Sequence, residues 1–146
     1  MNPFPSRKLN LMVVDDDPSI VRLLTQLIES KMGQNIVVYS FTDPDLACDW
    51  LDKNCCDILL SDVQMPGTGG LEILKFAKRR NAWTQVVFMT AYSTWDKITE
   101  AIELGASDYL LKPIQQEDLL NLLNQLGSRC GRWQEAMLHT LDSVQV

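Results

Sequence analysis

Aspartates at two points, one threonine and one lysine are the residues of this sequence best suited to chemistry. They stand as Asp15-Asp16-Asp17, Asp62, Thr90 and Lys112. Each group sits at the end of a short apolar run: Leu11-Met12-Val13-Val14, Ile58-Leu59-Leu60, Val86-Val87-Phe88-Met89 and Tyr109-Leu110-Leu111. If those runs are neighbouring strands, the polar groups meet at one sheet edge. Three or more carboxylates there repel one another unless a cation joins them. Hard oxygen ligands with open positions suit Mg²⁺, which takes one or two carboxylates, keeps water and accepts phosphate oxygens. A lysine and a threonine hydroxyl facing such a site could hold the remaining oxygens of a phosphoryl group. An aspartate so placed can itself be the nucleophile, giving an acyl phosphate. The chemistry is then mostly positioning and charge neutralisation.

The elements that must position these groups are legible as apolar runs alternating with helix-period segments. A strand over Leu11–Val14 is followed by Asp17-Pro18, which reads as an N-cap with Pro at the first helical position. Ile20, Leu24, Leu27, Ile28 and Met32 recur at helical spacing, and Gly33 closes that helix. Strand two is Ile36–Tyr39. Thr42-Asp43-Pro44 opens a second helix, with Leu46, Trp50 and Leu51 expected inward. Strand three is Ile58–Leu60, and residues 65–70 read as a loop. Helix three carries Leu71, Leu74, Phe76 and Ala77. Strand four, Val86–Met89, precedes a helix with Ile98, Ala101, Ile102 and Leu104 that stops at Gly105. Strand five is Tyr109–Leu111, and helix five runs from about Gln116 to Leu126. Uninterrupted apolar strands imply burial on both faces, hence a doubly wound parallel sheet of class α/β. Ligands of such open sheets bind at the carboxyl ends of the strands.

Composition narrows the alternatives. The 146 residues carry 13 Lys+Arg against 19 Asp+Glu, a net charge of −6. One domain is the expectation at this length. The acidic balance opposes direct nucleic-acid or anionic-membrane binding, since Lys78-Arg79-Arg80 and Arg129/Arg132 are short basic runs. Apolar stretches of about four residues span no membrane. Cys48, Cys55, Cys56 and Cys130 form no C-x-x-C pair and read as free buried thiols in a reducing cytosol, so a cytoplasmic location is expected. One histidine, His139, leaves almost no material for a zinc site or a Ser-His-Asp triad.

Taken together, VVDD at Val13–Asp16, SDVQMPG at Ser61–Gly67, MTA at Met89–Ala91 and GASDYLLKP at Gly105–Pro113 resemble the receiver domain of two-component response regulators. The resemblance covers about residues 8–127 and leaves 128–146 as a C-terminal helical tail or connector. It implies a (βα)5 fold with flavodoxin-like strand order 2-1-3-4-5. It implies that Asp62 is the phosphoacceptor, served by a sensor histidine kinase or a histidine phosphotransfer protein. Asp15, Asp16, Asp62 and the Gln64 carbonyl match the ligands of Mg²⁺ (or Mn²⁺), with Asp15 acting largely through water. Thr90, Ala91 and Lys112 match the groups that bind phosphoryl oxygens, and Tyr109 matches a switch aromatic. Pro66 and Pro113 match structural prolines, with Lys112-Pro113 expected cis. Such a protein is a signalling phosphoacceptor rather than an enzyme. Gly69 departs from the family, which often has Asp there, and Gln64 and Tyr92 stand where the family tunes dephosphorylation.

Two other functions fit some of the same residues. A haloacid-dehalogenase-type phosphohydrolase would use Asp15 as nucleophile and Asp17 as general acid. A receiver-like interaction module would keep the sheet without phosphorylation. Taken singly, Asp17 reads as an N-cap, Asp15 and Asp16 as helix-start charges, Thr90 as an ST-turn, Lys112 as a surface residue and Tyr109 as a core aromatic. Beyond the domain, Leu119, Leu123, Leu126, Cys130, Trp133, Met137, Thr140 and Val144 recur at alternating spacings of four and three, a heptad-type seam. Either helix five ends at Gly127 and a tail helix packs back on the domain, or helix five continues and dimerises through that seam. The resemblance adds the helix-four, strand-five, helix-five face as an alternative homodimer surface.

Overall fold

A computed structural model of the chain describes residues 7–65, 69–91 and 94–144. Five strands, β1 (Leu9–Val14), β2 (Ile36–Phe41), β3 (Ile58–Asp62), β4 (Gln85–Thr90) and β5 (Asp108–Leu111), alternate with five helices. The helices are α1 (Pro18–Met32), α2 (Pro44–Lys53), α3 (Gly70–Arg80), α4 (Trp95–Glu103) and α5 (Gln116–Val144). All strand pairings are parallel, in the order β2-β1-β3-β4-β5. The expected class, strand order and C-terminal helix are therefore present.

Side-chain alternation along the strands divides the core in two. Leu9, Leu11, Val13, Ile58, Leu60, Val87 and Met89 face α1 and α5. Met12, Val14, Leu59, Val86 and Phe88 face α2, α3 and α4. The helix starts follow local chemistry. Asp17 Oδ1 accepts from Ser19 N at 2.9 Å and Asp43 Oδ1 from Asp45 N at 2.9 Å, each with Pro at the start of its helix. Helix α4 ends in Gly105 at φ +95°, whose N–H reaches Ile102 O while Ala106 N reaches Ala101 O. That pattern is a Schellman ending, which glycine satisfies without Cβ strain. Among the described residues no helix is long and apolar enough to cross a membrane.

Four expectations need correction. Leu46 is 56% exposed and Ile102 68%, because the helical period from Leu51 runs back to Ala47 and Pro44, and α4 buries Ala101. On α2 size drew attention to Leu46, whereas the small Ala47 faces the sheet; on α4 Ala101, already read there, is the buried one. Only Cys56 of the four free thiols is buried, and burial pushes it up to about 12. Gly70 belongs to helix α3 rather than to the loop. Helix five does not stop at Leu126 but takes the continuous course of the two left open: α5 is 29 residues in all, about 43 Å at 1.5 Å per residue. Gly127 and Gly131 each cost a helix interior about 1 kcal/mol relative to Ala, but keep their N–H groups in the ladder and have good helix formers on both sides. Gln85 of β4 adds an anchor, donating to Leu126 O at 2.9 Å and Cys130 Sγ at 3.0 Å, while Arg129 donates to its Oε1 at 3.2 Å.

The burial assignments predict a contrast in urea denaturation. Leu60→Ala, which opens a cavity at a fully buried site, costs about 2–5 kcal/mol. Leu46→Ala stays within about 0.5 kcal/mol of the parent.

Candidate functional site

In the order β2-β1-β3-β4-β5 the chain leaves β1 toward one edge, returns, and leaves β3 toward the other. The crevice beyond the carboxyl ends of β1 and β3 is the topological switch point, where open α/β sheets bind ligands. Asp15 and Asp16 follow β1 directly and Asp62 is the last residue of β3, so backbone pairing alone brings them to this crevice. One carboxylate oxygen from each of Asp15, Asp16 and Asp62 lies within 4.8 Å of the others.

Lysine 112 closes the cluster. It follows β5, two strands away from β3, and its backbone N–H is tied to Thr90 O at 2.7 Å. Only a long side chain can cross the end of β4 from there. Lys112 Nζ donates to Asp15 Oδ2 at 2.7 Å and to Asp62 Oδ2 at 3.2 Å. Asp15 is fully buried, and its Oδ1 accepts from Asp17 N at 3.0 Å. Asp62 Oδ1 accepts from Gln64 N at 3.2 Å. Burial pulls Lys112 down, but its hydrogen bond to Asp15 and the charges of Asp15 and Asp62 outweigh that, so the ammonium is held above its ordinary range. Asp16 is raised, first by burial, then by its hydrogen bond with Asp15 and the charges of Asp15 and Asp62. One ammonium is thus set against three carboxylates, and the surplus is negative. Three hard oxygen donors around an open crevice fit a divalent cation.

Other expected residues lie at varying distances from this cluster. Thr90 ends β4 and is buried, one residue past the register partner of Asp62, and Ala91 beyond it is exposed. Tyr109 lies on β5, packed edge-on to Phe88 at 6.4 Å in the core between the sheet and α2–α4. Its hydroxyl is buried with no hydrogen-bond partner among the described residues. The Lys112-Pro113 bond is cis. Pro66 and Tyr92 lie outside the described residues. Asp17 caps α1 and the Asp15 side chain is fully buried, whereas that of Asp62 is 10% exposed, so the hydrolase pairing of nucleophile and general acid is not what this geometry offers.

Sequence reasoning missed Gly70. A Cβ there would lie 2.2 Å from Asp62 O and 2.9 Å from Val63 Cα, and its N–H donates to Val63 O at 3.1 Å. Helix α3 therefore starts against the Asp62–Val63 backbone. A run of three glycines in four residues was the available signal. Gly69 is the N-cap of α3 with no side-chain cap bond, the capping contact that an Asp there would supply.

A doubly wound α/β domain with an acidic, lysine-bridged crevice at its switch point is the class that fold and site define. The response regulator receiver domain family matches residues 11–124, and the chain belongs to that family. It is 35% identical over 123 residues to the DNA-binding transcriptional regulator NtrC of Klebsiella pneumoniae, covering 84% of this chain and 26% of that one. It is 33% identical over 130 residues to the positive alginate biosynthesis regulatory protein of Pseudomonas aeruginosa, covering 89% and 51%. The chain thus spans from about a quarter to a half of these relatives. A solved receiver domain from Methanospirillum hungatei JF-1 superposes with TM-score 0.79 at 20% identity, covering 86% of this chain and 98% of that one, a likeness of fold.

Two outcomes follow from the crevice. A carboxyl raised in the folded state stabilises the fold below its unfolded pKa and loses that contribution as pH rises through the raised range. Asp16→Asn therefore gains stability over the parent in metal-free buffer at pH 7, by less than about 1 kcal/mol after solvent screening, and the gain shrinks as pH falls through the carboxylate range. Thermal denaturation across pH checks this. Gly70→Ala forces a backbone shift at Asp62 and costs about 1–3 kcal/mol in the same assay.

Proposed function

We propose that Asp62 accepts a phosphoryl group from a histidine of a sensor kinase or histidine phosphotransfer protein, and that the aspartyl phosphate switches a partner-binding surface. The observation that carries this reading is the convergence of Asp15, Asp16 and Asp62 within 4.8 Å, bridged by Lys112. In the transfer, an oxygen of Asp62 attacks phosphorus, the phosphorus–nitrogen bond to the donor histidine breaks, and the imidazole leaves with its electron pair. Asp15, Asp16, Asp62 and the Gln64 carbonyl are the groups that would hold Mg²⁺ or Mn²⁺, which neutralises charge on the incoming phosphoryl group.

The chain's own residues do the positioning. Gln64 N–H holds one oxygen of Asp62, which orients the other toward the crevice. Lys112, kept charged by its two partners, follows the negative charge as it passes from the carboxylate to the phosphoryl oxygens. Thr90 and Ala91 are assigned to a phosphoryl oxygen through the hydroxyl and the backbone N–H. Tyr109 is assigned the switch: its hydroxyl is buried with no hydrogen-bond partner among the described residues, a cost that a shift at the β4–α4 corner can relieve. Two packings of that corner, biased by phosphate contacts, give the population shift. Helix α1 and the β5–α5 loop are the assigned kinase-docking face.

Acetyl phosphate with Mg²⁺ is expected to convert the parent chain to a form retarded on a phosphate-affinity gel, with EDTA abolishing the band and hydroxylamine removing it. Asp62→Asn gives no such band, and Mg²⁺ raises the Tm of the parent more than that of Asp16→Asn. A retarded, hydroxylamine-sensitive band that persists in Asp62→Asn refutes the assignment.

A further inference from the structure

Helix α5 leaves the domain beside the place where the described chain begins. It starts beyond the carboxyl end of β5, passes the first residue of β4, where Gln85 donates to Leu126 O and Cys130 Sγ, and runs on past the sheet. Gln85 N donates in turn to Asp57 O at 2.9 Å, and Asp57 holds the Arg7 guanidinium at 2.8 and 3.0 Å. The charge of Arg7 is felt at the Cys130 thiol. Strand β1 enters the sheet from Leu9, so the chain ahead of Arg7 is joined to the fold at the edge from which α5 emerges. Beyond that edge the helix is bare on one side. Met137 is 51% exposed, Leu138 62% and Leu141 57%. They stand seven, eight and eleven positions after Cys130, which puts them on its side of a helix of 3.6 residues per turn. An isolated helix of this length is marginal in water, so a bare apolar stripe there calls for a cover.

We propose that residues 1–6 of this chain cover that side as an intramolecular strap, with Phe4 seated against Gln134, Met137, Leu138 and Leu141. These six residues, which lie outside the described ones, read Met-Asn-Pro-Phe-Pro-Ser and hold no charged side chain. The face they would cover holds none either, since Arg129, Arg132, Glu135 and Asp142 fall on the rest of the helix circumference. Asn2 and Phe4 each precede a proline, which favours an extended course and reduces the entropy lost on docking. The lengths agree. Six extended residues span about 19 Å at about 3.1 Å each. From Cys130 to Leu141 the helix rises about 17 Å. Phe4, three residues from Arg7, reaches about 9 Å along, the height of the turn from Gln134 to Met137. The tether decides between occupants. A short linker gives the strap an effective concentration of order mM, so one aromatic ring on a few aliphatic side chains suffices. A separate partner begins to bind stably at roughly 1,200 Å², more than three side chains offer. A second α5 laid parallel along the stripe would also run into the sheet on which Leu119, Leu123 and Leu126 pack.

Two measurements on the whole chain test the strap, and neither involves Asp62 or Mg²⁺. The first is photo-cross-linking from benzoylphenylalanine incorporated in place of Phe4, mapped by mass spectrometry. Adducts within one chain at residues 130–141 are expected. Adducts only between two chains, or only elsewhere in the same chain, overturn the proposal. The second is hydrogen–deuterium exchange of the amides of residues 131–141. Phe4→Asp is expected to speed it about tenfold, as one half-buried aromatic contact is lost, while Phe4→Leu keeps most of the protection. Equal exchange in the parent and Phe4→Asp, or protection that grows with protein concentration, overturns the proposal.

Discussion

Three carboxylates within 4.8 Å cannot be left to themselves, and the rest of the fold is arranged around that constraint. Lys112 supplies one positive charge, bridging the fully buried Asp15 and Asp62. A buried carboxylate pair of this kind is stable only while its cation stays, since removing one partner of a buried ion pair costs about 3–5 kcal/mol. That requirement sets the length of the side chain at position 112. Helix α3 also seats close on the backbone of Asp62, which only glycine at position 70 permits. The single ammonium leaves the cluster negative, a surplus that a divalent cation would offset and that without one repels an anionic phosphoryl group.

The molecule has two distinct ends. Helices run opposite to the parallel strands, so the carboxyl ends of the strands carry the acidic crevice and the far edge carries the exit of α5. That far edge has its own polar clasp. Arg7 forms a bidentate pair with buried Asp57 at 2.8 and 3.0 Å, and Asn10 N donates to the same carboxylate at 2.8 Å. Gln85 joins β4 to α5 nearby. The Gln85 contacts tie the outgoing helix to β4, and burial at Leu126 gives way to exposure at Trp133 within two turns.

Much of this was legible because local chemistry and global topology agree. Asp17-Pro18 and Asp43-Pro44 start helices where their side chains accept the first free N–H groups, and the apolar runs are strands. Asp15, Asp16, Asp62 and Lys112 were identified from position at strand ends, and they meet. What was not legible depends on three dimensions. Leu46 and Ile102 look like core residues until the helix phase is set by the sheet, when Ala47 and Ala101 turn inward. Gly127 looked like a helix end because its propensity is poor, whereas a side chain from β4, 41 residues away, holds the next turn in place. Gly70 is crowded by a backbone that sequence spacing does not reveal. Asp57 gave no motif at all; its partner lies 50 residues away.

Phosphopeptide mapping after incubation of the whole chain with acetyl phosphate and Mg²⁺ reaches the central claim most directly. Mass-spectrometric fragmentation of the labelled protein is expected to place one phosphoryl group on Asp62, in the stretch Ile58–Met65, with Asp15 and Asp16 unmodified. A phosphoryl group on Asp15 in place of Asp62 would contradict the account.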